Sequence, residues 1–159
     1  MELRAKASIS LVTMGIVASG YSVFHHYAIR YSDSFTSFCN FSEELNFDAV
    51  ALHASSEVLG VPIAVYGLLA YVAVGSLIID MVRNGESRLH FLGPLTTCMC
   101  VYSLYLAYVS KFVIGSLCIV CAGMYAINLL LFLIQVSWHS TLTGLARSFG
   151  KLFRELQAK

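Results

Sequence analysis

The chain has 159 residues, 58% of them hydrophobic and 12% charged, with a mean hydropathy of +0.75. A soluble domain is roughly half apolar and a quarter charged, so this composition excludes an ordinary water-soluble fold and indicates an integral membrane protein. A formal net charge of +1 excludes a nucleic-acid or polyanion binder.

Met1–Lys6 is a short polar start carrying Arg4 and Lys6. The apolar run from Ala7 to Ala28 can cross a ~30 Å hydrocarbon core at ~1.5 Å per residue. It exceeds a signal-peptide core, and no small-x-small cleavage site precedes the polar region, so it reads as a first transmembrane span. His25 and His26 end this run. They read as interfacial side chains rather than metal ligands, because no cysteine or carboxylate follows at ligand spacing.

Arg30–Gly60 is the long hydrophilic segment, with Cys39, the acids Asp33, Glu43, Glu44, Asp48 and Glu57, and one base, Arg30. A connection of this length in so small a protein is usually functional. The pattern of Phe47, Val50, Leu52, Val58 and Leu59 suggests a short helix lying on the membrane surface. Ser55 and Ser56 either cap its last turn or begin the next element.

The second span is Val61–Val82, with Pro62 in its first turn, where a missing N–H costs nothing. Gly67 and Ala70 offer small surfaces for close helix contact. Arg83–His90 is a polar turn. The third span, Phe91–Phe112, carries Cys98, Cys100, Tyr102, Tyr105 and Tyr108. Its tyrosines read as packing or an interfacial belt, and its two cysteines as apolar filler. Lys111 and Gly115 bracket a tight turn into the fourth span, Ser116–Trp138. The remaining 139–159 is a basic amphipathic tail suited to an anionic leaflet. The expected fold class is therefore an all-α membrane protein, a four-transmembrane-helix bundle with an outer loop.

Cys118 and Cys121 open the fourth span as a Cys-x-x-Cys pair. Helical spacing puts Cys118, Cys121, Tyr125 and Asn128 on one stripe. A dithiol at a helix N-terminus gains from the macrodipole and the free amides, which stabilise a thiolate. Alternatively the pair is simply two buried cysteines in a membrane helix. Lysine and arginine placement weighs between these readings. Arg4, Lys6, Arg83, Arg88, Arg147, Lys151, Arg154 and Lys159 fall on one side, eight of the ten. The positive-inside rule then puts both termini in the cytosol, and the Cys39 loop and the Cys118 mouth on the outer side. That side is oxidising in bacteria and in the ER, which favours a redox role.

Leu117-Cys118-Ile119-Val120-Cys121 with Tyr125-Ala126-Ile127-Asn128 resembles the fourth-helix motif of the vitamin K epoxide reductase family. Ser55-Ser56, Gly60-Val61-Pro62-Ile63-Ala64 and Tyr66-Gly67 resemble the bacterial form of its loop-to-second-helix region. The resemblance covers about residues 7–138. It implies a four-helix bundle around a quinone, ubiquinone or menaquinone, in a bacterial inner membrane. Cys121 would be the thiolate facing the quinone ring, and Cys118 would be attacked by a loop thiol. Tyr125 would donate to a quinone oxygen, with Asn128, Ser56 and Tyr66 completing the binding set. Electrons would come from a separate thioredoxin-like periplasmic or luminal protein, supporting disulfide-bond formation. No metal is expected.

The loop departs from the family pattern, which has two cysteines there. Here Cys39 stands alone. The context Asn46-Phe47-Asp48-Ala49-Val50 puts Ala49 at the presumed position of the second, with Ala51 as the alternative. The chain is then either a cysteine-to-alanine variant or a natural member with a broken relay. Cys39 is expected to pair with Cys118 or to stay free, with impaired turnover. The competing functions are vitamin K quinone or epoxide reduction, and a non-catalytic four-span scaffold with structural cysteines.

Overall fold

The computed structural model describes residues 2–31, 47–53, 56–84 and 89–138, together with 154 and 157. Cys39, Ser55 and, apart from those two positions, the expected amphipathic tail lie outside the described residues. The described chain runs α1 (Glu2–Tyr31), α2 (Phe47–Leu52), β1 (Glu57–Val58), β2 (Val61–Pro62), α3 (Ile63–Asn84), α4 (Leu89–Val109), a π-helical turn (Ser110–Ile114) and α5 (Ile119–Trp138).

The four long helices each hold a stretch long and apolar enough to cross a membrane, and the chain is an integral membrane protein. In hydrocarbon every backbone polar group must find its partner within the segment, which is why these runs are helical. α1 packs on α3 and α5, and α4 packs on the same two, so the bundle closes into a ring of four.

Boundaries differ from expectation at three places. Pro62 is not in the first turn of α3. It lies in β2, which pairs antiparallel with β1, Glu57 opposite Pro62 and Val58 opposite Val61. The two-residue turn between the strands has Leu59 at φ 55° and Gly60 at φ 76°; both central residues are left-handed, as a tight hairpin of this kind requires. The surface helix is only Phe47–Leu52, because Ser56 ends it by donating its hydroxyl to the Val50 carbonyl. The fourth helix begins at Ile119 rather than Ser116, which moves Cys118 from the first turn to the residue just before it.

Packing divides the bundle along its length. Val12, Tyr71, Val74, Ile78, Leu92, Ile127 and Leu131 form a buried apolar cluster that fills the half nearer the 84–89 connection. Gly67 faces α1, as its small surface suggested, but it is not the tightest point of the bundle. A Cβ on Gly67 would meet Ser19 Oγ at an ordinary 3.6 Å. The tight approach is at Gly15, where a Cβ would lie 2.4 Å from Tyr71 Cε1. Gly15 lets the Tyr71 ring lie against α1, and Tyr71 Oη donates to the Met124 carbonyl at 3.4 Å. One ring therefore ties α1, α3 and α5 together just beneath an open cavity.

Candidate active site

The crossover from α4 to α5 sets the site. Ser110 begins the π-helical turn, a distortion often found at functional sites. Its Oγ donates to the Ser116 carbonyl at 2.6 Å. Gly115 then takes the left-handed conformation at φ 74°, which glycine adopts without steric cost. The chain reverses within a few residues and delivers Cys118 to the head of α5.

Cys118 occupies the N-cap position of α5. The Cys121 amide donates to Cys118 Sγ at 3.1 Å, as a serine or aspartate oxygen does at other helix starts. The sulfur is 1% exposed and packs against Val50 and Ala51 of α2, Val120 and Cys121. The Cys121 thiol beside it lowers the Cys118 pKa most. Burial opposes that shift, and the Cys121 and Val120 amides reinforce it. The contacts favour the anion at Cys118, in line with the helix macrodipole, whereas the resemblance implies a thiolate at Cys121.

Cys121 sits one turn further in and faces a different space. It lines a cavity of about 360 Å³ with Met124, Tyr125 and Asn128 of the same helix. Ser56 and Tyr66 also line this cavity, and so do Val50 and Ala51 of α2. The structure therefore brings together Cys121, Tyr125, Asn128, Ser56 and Tyr66, and sets Cys118 behind the wall, under α2. Tyr66 Oη is held by the Val58 carbonyl at 3.2 Å, leaving its ring to the cavity. The Ala49 side chain and Cys39 lie outside what is described.

The cavity suits a mostly apolar ligand that carries polar groups. Its volume is within the usual range of small-molecule sites, ~300–1,000 Å³. Asn128 Nδ2 donates to Ser103 Oγ at 2.6 Å, and Ser103 Oγ donates to the Met99 carbonyl at 2.8 Å. Asn128 Oδ1 is buried without a partner among the described residues. A buried acceptor left unpaired costs about 1–3 kcal/mol, so this oxygen is poised for a hydroxyl donor. A quinone and its hydroquinone meet these requirements. Among the described residues no group of three or more His, Cys, Asp or Glu side chains could hold a metal ion.

Several residues depart from the sequence expectation. His25 and His26 are buried within the protein, at 0% and 5% exposed. Burial requires partners, and the loop acids supply them. His25 Nε2 lies 3.3 Å from Asp48 Oδ1. His26 Nε2 lies 3.0 Å from Glu57 Oε1, which also meets Arg30 Nη2 at 2.5 Å. These pairs fasten α2 and the hairpin to α1. Tyr102 is not only belt, since it lines the cavity with Ser103. Cys98 is not filler, being exposed and lining both the cavity and an adjoining groove between α3 and α4. The α1 wall, Ser19, Ser22 and His26, was missed although its spacing of three and four was visible.

The model of the vitamin K epoxide reductase family matches residues 7–136. That stretch takes in the loop, the cavity and the dithiol, and the chain belongs to the vitamin K epoxide reductase family. Membership makes it a membrane oxidoreductase of the kind that links thiols to quinones or their epoxides.

Proposed function

We propose that this chain is a thiol:quinone oxidoreductase that passes electrons from a thioredoxin-like partner through cysteine pairs to a bound quinone, supporting disulfide-bond formation. The observation that carries the reading is the division of labour between the two sulfurs. Cys118 packs under α2, on the loop side, and Cys121 faces the cavity. A disulfide between them takes up electrons at Cys118, and the resulting dithiol gives them up on the side of Cys121.

The residues have the following roles. An incoming thiolate attacks Cys118, forming a mixed disulfide and releasing Cys121 as the leaving sulfur. Resolution of that mixed disulfide by a second donor thiol restores the Cys118–Cys121 dithiol. The hydrogen bond from the Cys121 amide and the helix N-terminus steady the charge that Cys118 takes up when it leaves the mixed disulfide. Tyr125 would donate to one quinone oxygen, and Asn128 would accept from a hydroxyl of the reduced ring. Ser56 and Tyr66 close the ring site, and the α3–α4 groove past Cys98 gives an apolar tail a way to lipid. The quinone, when bound, supplies a two-electron acceptor. Ubiquinone and menaquinone both fit this chemistry.

Orientation follows from charge. Eight of the ten lysines and arginines lie on one side, so the proposed topology has both termini in the cytosol and the mouth outside, in a bacterial inner membrane. Cys39 is proposed as the loop thiol that reaches Cys118. With one loop cysteine, electrons enter through a Cys39–Cys118 linkage or by direct attack of the partner. The test is anaerobic: the reduced chain is mixed with a short-tailed ubiquinone or menaquinone analogue, and Cys118 and Cys121 are followed by alkylation. Loss of both thiols together supports the proposal, and persistence of both contradicts it.

A further inference from the structure

We propose that His26 is the proton donor to the quinone oxygen on the α1 side of the cavity, reloaded from the aqueous face through Glu57. This rests on the thiol:quinone reading and adds a residue to it. His26 lines the cavity yet is 5% exposed to solvent. Its Nε2 is engaged by Glu57 Oε1 at 3.0 Å, which leaves Nδ1 as the nitrogen that exchanges a proton with a ligand. Glu57 in turn meets Arg30, whose side chain is 49% exposed. The groups therefore run in order from cavity to water: His26, Glu57, Arg30. Other ionisable groups near His26 are Tyr27, ring edge to ring at 5.8 Å, and the neighbouring His25 with Asp48. Across the cavity stand Tyr66, Tyr102, Tyr125 and Cys121.

The need for such a donor comes from proton balance. Reducing a quinone takes two electrons and two protons. Closing the Cys118–Cys121 disulfide releases both electrons as the S–S bond forms. The pair carries only one proton when Cys118 is a thiolate, and that proton leaves from Cys121. The second comes from the His26 imidazolium at Nδ1; the ring is left neutral with its hydrogen on Nε2, and it is reprotonated from water through Glu57 once it turns to present the vacated nitrogen to that carboxyl group. Thiolate, thiol, quinone and imidazolium thus give disulfide, hydroquinone and imidazole, balanced in charge and hydrogen.

His25 provides an internal comparison. It makes the same kind of pair with a loop acid but does not line the cavity. If both histidines only fasten the loop, the two variants should behave alike. The experiment uses the full chain, reduced and mixed anaerobically with a short-tailed ubiquinone analogue in single turnover from about pH 5 to 8. In His26→Gln the oxidation of the dithiol should slow about 100-fold and lose the fall in rate toward alkaline pH that the parent shows, keeping the rise set by Cys118. In His25→Gln the pH dependence should persist. A second readout does not need turnover. In a Cys121→Ser chain, the analogue should shift the ring ¹⁵N signals of His26 and not those of His25. Glu57→Gln, which keeps the ring, should spare the first turnover and slow the following ones. The inference is overturned if His26→Gln keeps the parent rate and pH profile, if the His26 signals stay put, or if Glu57→Gln slows first and later turnovers equally. Should the parent dithiol never be oxidised by the analogue, the thiol:quinone reading itself fails; parent oxidation with an indifferent His26→Gln removes only the present inference.

Discussion

The amide of Cys121 donates to the sulfur of Cys118 across 3.1 Å, so the first cysteine of the pair caps the helix that holds the second. This contact joins a local folding signal to redox chemistry. The residue that satisfies an orphan amide at the start of α5 is also the sulfur at which negative charge is steadied.

The pH dependence of Cys118 alkylation follows from that contact. Hydrogen bonds to the sulfur favour the anion, so the midpoint should lie below the ordinary thiol value of ~8.5. The leading cause is the Cys121 thiol. Cys121→Ala removes that donor and should raise the midpoint, and Cys121→Ser should restore part of the difference. Rates of maleimide labelling at position 118 against pH provide the readout, and an unchanged midpoint in Cys121→Ala would refute the assignment.

Docking of α2 on the dithiol predicts a cross-link. Ala51 packs against Cys118, so Ala51→Cys in a Cys121→Ser background should form a 51–118 disulfide on mild oxidation in most molecules. Leu52, which is 52% exposed, points elsewhere, and Leu52→Cys should not link. Non-reducing peptide mass spectrometry separates the outcomes. Linkage at 52 rather than 51 would mean that α2 is turned differently from the structure.

Gly15 should be the least replaceable glycine of α1. A methyl there meets the Tyr71 ring at 2.4 Å, and overpacking of this kind costs about 1–3 kcal/mol. Gly15→Ala should lower the thermal midpoint in detergent. Adding Tyr71→Leu should recover part of the loss, since it removes the ring edge. Tyr71→Phe keeps that ring and should recover little. Equal behaviour of the two double variants would show that the clash is not the cause.

Asn128 tests the ring site. Its Oδ1 lacks a partner among the described residues and is assigned to the ligand hydroxyl. Asn128→Leu should weaken hydroquinone binding by about 1 kcal/mol, roughly fivefold, measured by equilibrium titration of the Cys121→Ser chain. Oxidised quinone, which has no hydroxyl to donate, should lose less. Equal losses for both forms would remove the acceptor role.

Much of this architecture is written in periodicity and hydropathy. Four apolar runs specify four spans, because lipid leaves the backbone no alternative to helix. The Cys118, Cys121, Tyr125, Asn128 stripe follows from helical spacing, and three of its members do line one cavity. What spacing could not convey is that Cys118 stands one residue before the helix and so turns to α2 instead. Tertiary pairing was also hidden. The burial of His25 and His26 was not legible because their partners, Asp48 and Glu57, lie more than 20 residues on, in a segment with no strong periodicity. Pro62 is compatible with both a first helical turn and an edge strand, and only the hairpin with Glu57 and Val58 decides between them. Cys98 and Tyr102 face the cavity through the way α4 is rotated about its axis, which packing against α3 and α5 determines.

The most direct test of the central claim is a single-turnover experiment on the reduced parent chain with a short-tailed quinone analogue under anaerobic conditions. The quinol formed is read by absorbance and the cysteines by non-reducing mass spectrometry. The account predicts one Cys118–Cys121 disulfide per quinol, appearing at the same rate. Quinol formation with both thiols still alkylatable, or no quinol at all, would contradict it.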